Sequence, residues 1–334
     1  MRLDQLTELL PPHQIERPKA WTRASISPGR WTIAVPSRCV AELDAVVASL
    51  RAEPRPIESL APAAFSLRAC SALMSDVRAK LETDTGLAVV DRIPVERYAP
   101  EENRAIGWLL AAMLGQVVAQ KVNGTRLYDV KDTGQAPGYG VRRSVTNLGQ
   151  PFHTDGGWLW KAPNFVGLFC LESALEGGLS RFASLVTAHN VLRERRPDLL
   201  ARLYTPFAWD RQGEHAPDAP RFSEHPVFEF ADGVLSARYY EDYVVNGYRL
   251  AEGTLDDEGR EALAALRALV DDPAHWVEFR IEKGQLQYLN NRQFAHSRTA
   301  FKDAEVAGAS GGRHMLRLWN RDEGSWHLEG RPAD

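Results

Sequence analysis

From His275 onward the sequence alternates. Val277, Phe279 and Ile281 are apolar at every second position, Lys283-Gly284 interrupts them, Leu286 and Tyr288 resume, and Asn290-Asn291 interrupts again before the segment that carries His296. Successive side chains of an extended chain point to opposite faces, so a period of two predicts short strands joined by polar turns, here an antiparallel meander. Upstream, residues 165–171 (FVGLFCL) form a near-continuous apolar run of strand length. Such a run fits the middle of a sheet covered on both faces. Many short strands flanked by helices restrict the chain to a few closed or two-sheet β architectures.

Helical spacing is found elsewhere. It predicts helices over 40–51 and 71–82, and a helix opened by Pro100 whose apolar positions Ile106, Leu109, Leu110, Met113, Leu114 and Val117 share a face. Further helices are expected over 186–204, interrupted by Pro197, and over 255–270, with Thr254 as N-cap and Asp257 as its reciprocal partner. Residues 86–95 and 127–133 read as strands. No Gly/Ser-rich linker divides the chain. The expected organisation is therefore one elaborated domain over 1–334, with a helical N-terminal flank over 1–84, a β core over 85–334 and a lid-like insert at about 185–275.

With 334 residues and 44% hydrophobic content the chain can bury a full core. A net charge of -4 with scattered basic residues gives no footprint for nucleic acid and favours a small-molecule substrate. Cys39, Cys70 and Cys170 are odd in number and far apart, which argues against a disulfide framework and for a reducing cytoplasm. No apolar stretch approaches the roughly 20 residues of a membrane span. A homo-oligomer stays open.

The chemistry centres on residues 150–158, QPFHTDGGW. On a strand, His153 and Asp155 project from one face into one pocket, ahead of a Gly156-Gly157 stop. The pattern alone is weak: His327 and Glu329 in WHLEG repeat it within a charged tail expected to fray, and no role is assigned there. His296, in FAHSRTAF, is the nominated third ligand. Two histidines and one carboxylate on one face of an iron(II) ion leave positions open for reaction. A zinc hydrolase could use the same donors, and an inactive jelly-roll ligand-binding protein is a further alternative.

The segments HTDG, EGGLSRFAS, NNRQFAHSRTAF and RHMLRLW, in that order, resemble the taurine dioxygenase-like (TauD/TfdA) family of iron(II)- and 2-oxoglutarate-dependent oxygenases, clavaminate synthase-like relatives included, over residues 87–322. The resemblance implies a double-stranded β-helix, the jelly-roll barrel, as the core. It also implies that Arg313 forks onto the distal carboxylate of 2-oxoglutarate, a contact suited to a planar guanidinium that keeps its charge. Ser180 would donate to the same carboxylate, at a position that is commonly threonine. Arg317 matches a second arginine near the iron-bound end of the cosubstrate and an anionic substrate group. The implied reaction consumes 2-oxoglutarate and dioxygen, releases succinate and carbon dioxide, and hydroxylates an unactivated carbon of a small polar metabolite or natural-product intermediate. Arg313 and the GGLS turn favour this reading over the hydrolase and the inactive barrel. Three side chains stay outside the catalytic set. Arg298 pairs with a carboxylate or braces the barrel, and Arg142-Arg143 read first as solvated loop charges. In the insert, Tyr239, Tyr240, Glu241, Asp242 and Tyr243 would suit a cationic substrate.

Overall fold

The computed structural model describes residues 10–331 except 12, 17, 137, 139 and 304–311. Eleven strands make its two principal sheets: β1 Thr32–Ala34, β2 Leu87–Asp91, β3 Gln116–Val117, β4 Tyr128–Val130, β5 Gln150–His153, β6 Phe165–Glu172, β7 Ser180–Ser184, β8 Trp276–Phe279, β9 Leu286–Asn290, β10 Phe294–Arg298 and β11 His314–Arg321. The larger sheet has the order β1-β2-β9-β6-β11-β3, with β4 also on β11, and the smaller has the order β8-β7-β10-β5. Among the described residues, only the edge pair β1 and β2 is parallel.

Strand β6 sits between β9 and β11, as its apolar run predicted. The expected meander is not formed. Strand β8 pairs with β7 in the small sheet, β9 with β2 and β6 in the large one, and β10 with β7 and β5 back in the small one. The breaks at Lys283-Gly284 and Asn290-Asn291 are corners between sheets, so successive strands are not neighbours. Asn291 shows why its corner holds: its amide nitrogen donates to the carbonyls of Asp155 and Pro163 at 2.9 and 3.1 Å.

Helices α1 Ser37–Ala52, α2 Arg68–Thr83 and α3 Pro100–Leu114 fall where the periodicity put them, except that α3 stops before Gly115, so Val117 belongs to β3 and not to the helix. Their apolar faces, with Leu43, Val46, Leu73, Val77, Ile106 and Leu110, share one core cluster with Val90, Phe169 and Leu286 of the large sheet. Each such side chain contributes on the order of 1.5–3 kcal/mol by leaving water. The N-terminal flank is more than helical, because β1 extends the sheet; three residues are too short to display a period. Cys39 and Cys70 meet across the contact of α1 and α2, although they are distant in sequence.

The insert contains α4 Leu185–Arg195, α5 Pro197–Leu203, two hairpin ribbons, α6 Glu241–Leu250 and α7 Asp257–Asp271. The cap of α7 is Asp256, whose carboxylate accepts the Gly259 N–H at 2.6 Å, and not Thr254. A cap must precede the helix by one residue to reach its third N–H, and in TLDDEG only Asp256 stands there. No helix among the described residues is long and apolar enough to cross a membrane.

Helix α4 places His189 fully inside the insert, with Nε2 2.8 Å from the Tyr204 hydroxyl. Burial pushes its imidazole down to about 4. An unfolded histidine titrates near 6.5, so on acidification the unfolded chain takes up its proton first. This contribution to stability is complete above about pH 6.5 and is lost as pH falls towards 4, at about 1.4 kcal/mol per pH unit. Urea unfolding at pH 7.5 and pH 5 is expected to show the fall. The His189→Gln variant is expected to lose part of the pH dependence, and an unchanged slope would count against the assignment.

Candidate metal centre

Strand β5 ends on His153, and the chain is then held residue by residue. Thr154 N–H donates to the Tyr239 carbonyl at 2.7 Å, and Asp155 N–H to Asn291 Oδ1 at 2.7 Å. Strand β10 lies antiparallel to β5 with His296 directly opposite His153, which brings their ring centroids to 4.1 Å. Asp155 Oδ1 is 3.3 Å from His153 Nε2 and 4.0 Å from His296 Nε2. One potential ligand atom from each lies within 4.8 Å of the others, and no other such group of three occurs among the described residues.

The protonation states suit a cation. His153 Nδ1 donates to the Pro151 carbonyl at 2.9 Å, which turns Nε2 towards Asp155; the Gln150 side-chain nitrogen is 2.9 Å from the same Nε2. Burial, then the neighbouring His153, push His296 down to about 3, so it is neutral at physiological pH. Burial alone would raise the Asp155 carboxyl, but the Arg317 guanidinium and the two histidines outweigh it and hold it well below the usual carboxylate range. Its Oδ2 accepts from Trp319 Nε1 at 2.8 Å and Arg317 Nη1 at 3.2 Å, while Oδ1 faces the imidazoles. Two imidazoles, that of His296 neutral, and one oriented carboxylate are a donor set for a divalent transition metal.

Beside this triad a second group of side chains lines a common cavity: Ser180, Gln287, His296, Arg298, Arg313 and Arg317. Arg313 is 2% exposed, yet its Nη1 has no partner, and neither has the Gln287 side-chain carbonyl. An unpaired charged donor this deep is costly unless an acceptor arrives. Burial lowers Arg313 only to about 10, so it carries its charge at neutral pH. Gly178, with φ of +65°, lets the turn pass close to this arginine; a Cβ there would stand 3.2 Å from Nε. Arg313 and Arg317 both line the cavity as their even spacing predicted, although the pairing of β11 with β6 shifts register between His314 and Met315.

Arg298 is a brace: its Nη2 donates to the Thr146 and Leu148 carbonyls at 2.9 and 2.5 Å. Arg142 is not a solvated charge. It is buried, pairs with Glu214 at 2.8 Å and donates to the Gln120 carbonyl at 2.9 Å. Of the expected lid cluster, Tyr240 and Tyr243 face the metal side, Tyr239 is packed in the core and Glu241 is paired with Arg267. His327 and Glu329 lie outside the site, as assigned, but the tail is packed. The fully buried Arg321 donates to the carbonyls of Ser325, His327 and Leu328.

Sequence reasoning missed Trp319, Asn291, Gln150 and Gln287. Trp319 was within reach, since it stands two residues beyond Arg317 on β11 and therefore on the same face. Asn291 gave no such signal, because only the folded corner brings it to Asp155.

Residues 55–319 match the family described as Taurine catabolism dioxygenase TauD, TfdA family. The chain belongs to that family. The match begins upstream of the motifs and takes in α2 and β2. Membership of the TauD, TfdA family makes this protein an iron(II)- and 2-oxoglutarate-dependent dioxygenase, with iron(II), 2-oxoglutarate and dioxygen as reagents and a small-molecule substrate. Among similar proteins is FR-33289 synthase of Streptomyces rubellomurinus (strain ATCC 31215), 27% identical over 303 residues that cover 90% of this chain and 88% of that one. Taurine hydroxylase-like protein SAT17 of Stachybotrys chartarum is 27% identical over 86% of this chain and 75% of its own. The mixed α/β fold resembles an asparagine oxygenase solved with Fe(II), 2S,3S-3-hydroxyasparagine and succinate, with a TM-score of 0.66, 17% identity, and coverage of 87% and 93%. It also resembles the non-heme iron oxygenase OrfP solved with Fe and alpha-ketoglutaric acid, with a TM-score of 0.63, 14% identity, and coverage of 91% and 100%.

Proposed function

We propose that this TauD, TfdA family enzyme hydroxylates an unactivated C–H bond of a small polar metabolite or natural-product intermediate, with His153, Asp155 and His296 holding the iron. The observation that carries this reading is the buried three-residue cluster opening onto the same cavity as the unpartnered Arg313 guanidinium. Iron(II) with 2-oxoglutarate and dioxygen supplies the oxidation, and the cosubstrate leaves as succinate and carbon dioxide. The chain's own residues bind, orient and exclude water. Arg313 receives the distal carboxylate, with Ser180, 4% exposed on the same wall, as a hydroxyl donor to it. Arg317 divides its donors, with Nη1 fixing Asp155, Nε on Gln120 Oε1 at 2.7 Å and Nη2 unpartnered for the other end of the cosubstrate. A zinc hydrolase has no use for a dicarboxylate clamp, and nothing favours an inactive ligand-binding barrel, since all three ligand side chains are in place.

The scaffold for this chemistry is read as a double-stranded β-helix. From β4 to β11 the chain visits the large and small sheets in the order large, small, large, small, small, large, small, large, which is the winding of a jelly roll. The shared core of α1, α2 and the large sheet supports one elaborated domain over 1–334, the 1–84 flank included. The balance of charge and the free, buried cysteines support a cytoplasmic protein without nucleic-acid or membrane partners.

The test is succinate release stimulated by candidate substrates, followed by mass spectrometry of the product formed under labelled dioxygen with excess chloride. Because Asp155 occupies a ligand position, the product is expected to gain oxygen from dioxygen and no halogen. A halogenated main product would contradict the role of Asp155.

A further inference from the structure

Strand β3 leaves β11 early. Val117 is paired with Asn320 and the Val118 N–H still donates to the Trp319 carbonyl at 3.0 Å, but the Ala119 N–H turns away to the Trp326 carbonyl. Pairing resumes where β4 sets Tyr128 opposite Arg317. Gln120 bridges the gap with its side chain, which is fully buried: Nε2 donates to the Arg317 carbonyl at 2.9 Å and to the Arg126 carbonyl at 2.8 Å. Its other end makes a contact that a bridge between strands does not need. Oε1 accepts from Arg317 Nε at 2.7 Å. The two carbonyls fix which end of the amide carries hydrogen, so the oxygen is the end that faces the guanidinium. Gln120 therefore grips Arg317 twice, at its backbone carbonyl and at its side-chain Nε.

The second grip sets an angle. The Arg317 guanidinium lies 4.8 Å from the Tyr128 ring and 5.1 Å from the Trp319 ring. Attraction to a ring face holds the position of a guanidinium but has no preferred direction within its plane. A hydrogen bond at Nε has one. With Nε held by Gln120, Nη1 falls on Asp155 Oδ2 at 3.2 Å, and the buried Nη2 is left without a partner. The Asp155 contact is the longer of the two bonds, so the 2.7 Å bond at Gln120 is the tighter constraint on rotation.

We infer that Gln120 is a positioning residue: by fixing the rotation of the Arg317 guanidinium, it sends one nitrogen to Asp155 and turns the other to 2-oxoglutarate. The inference rests on the oxygenase reading and on the part given there to Arg317. A glutamine that only filled the gap between β3 and β4 would matter equally whatever residue stood at position 317.

The experiment titrates 2-oxoglutarate into the full chain loaded with iron(II) under anaerobic conditions and reads the visible band. Gln120→Met keeps the length of the side chain and removes its hydrogen bonds. It is expected to weaken 2-oxoglutarate at least about fivefold, the order of effect of one buried hydrogen bond, with iron content unchanged. The deciding comparison repeats this substitution in two backgrounds. In Arg317→Lys, which keeps the charge but lacks Nε, the further loss is expected to stay below about twofold, because the group through which Gln120 acts is gone. In Arg313→Lys the loss is expected in full. Equal losses in the two backgrounds, or no loss in the otherwise unaltered enzyme, would overturn the inference. If Gln120→Met does not fold, Gln120→Ala, which leaves room for water at the two carbonyls, goes through the same comparison. Failure of both to fold would make Gln120 a structural bridge and overturn the inference as well. An Arg317→Lys variant that binds 2-oxoglutarate as tightly as the unaltered enzyme would remove the part of Arg317 and the inference with it. Absence of the band from the unaltered enzyme would instead strike the oxygenase reading, and the two failures are read separately.

Discussion

His296→Ala and His153→Ala are each expected to abolish iron(II) retention and succinate formation. The two imidazoles face each other across β5 and β10, and each has a nitrogen turned to Asp155 Oδ1. Loss of an outer-shell partner of a metal ligand typically costs about 10- to 100-fold in affinity or activity. Removing a ligand itself should cost more, because two donors remain where three defined the face. Metal content after anaerobic gel filtration and single-turnover succinate yield check this. His327→Ala, whose side chain stacks on Trp326 away from the cluster, should leave both unchanged. Full iron and full turnover in either ligand variant would mean that the ligand set is wrong.

Arg313→Lys is expected to raise the 2-oxoglutarate concentration needed for half-maximal turnover at least about tenfold, with iron affinity little changed. Arg313 is buried, charged at neutral pH and short of a partner at Nη1, and its backbone N–H is fixed by Asp303 Oδ1 at 2.7 Å. Lysine retains the charge and loses the fork. Breaking a buried charge-assisted contact while its partner stays in place costs about 2–5 kcal/mol, and about 1.4 kcal/mol is a factor of ten. The measurement is a 2-oxoglutarate titration of turnover alongside an iron titration. An unchanged requirement would move the clamp to Arg317, or to Arg298, whose Nη2 is held by backbone carbonyls while its Nε has no partner.

The elements were legible in the chain where a physical period was long enough to be read. Alternation at Val277 and Phe279 gave β8, the apolar run gave β6, and helical spacing gave α1, α2 and α3. What stayed hidden was pairing. The residues Asn290-Asn291 spell a turn, and nothing local says that it is a corner into the opposite sheet, since that depends on the Asp155 and Pro163 carbonyls that Asn291 meets there. The ligands followed the same division. His153 and Asp155 are two apart on one segment, so their spacing paired them, although β5 ends on His153 and Asp155 stands in the turn beyond it, whereas His296 joined them through motif order and is brought opposite by sheet register. Arg142 was misread because exposed charge is the usual state of a loop arginine, and its burial depends on Glu214 from the insert. The tail was misread for a similar reason, because Arg321 collects carbonyls that lie beyond its own strand.

The most direct test is anaerobic titration of the unaltered protein with iron(II) and then 2-oxoglutarate, followed by visible absorption. The account predicts one iron per chain and a charge-transfer band that forms only when 2-oxoglutarate is added, and that His153→Ala and His296→Ala both lack. Stoichiometric iron with no band at saturating 2-oxoglutarate, or a band retained by either histidine variant, would contradict it.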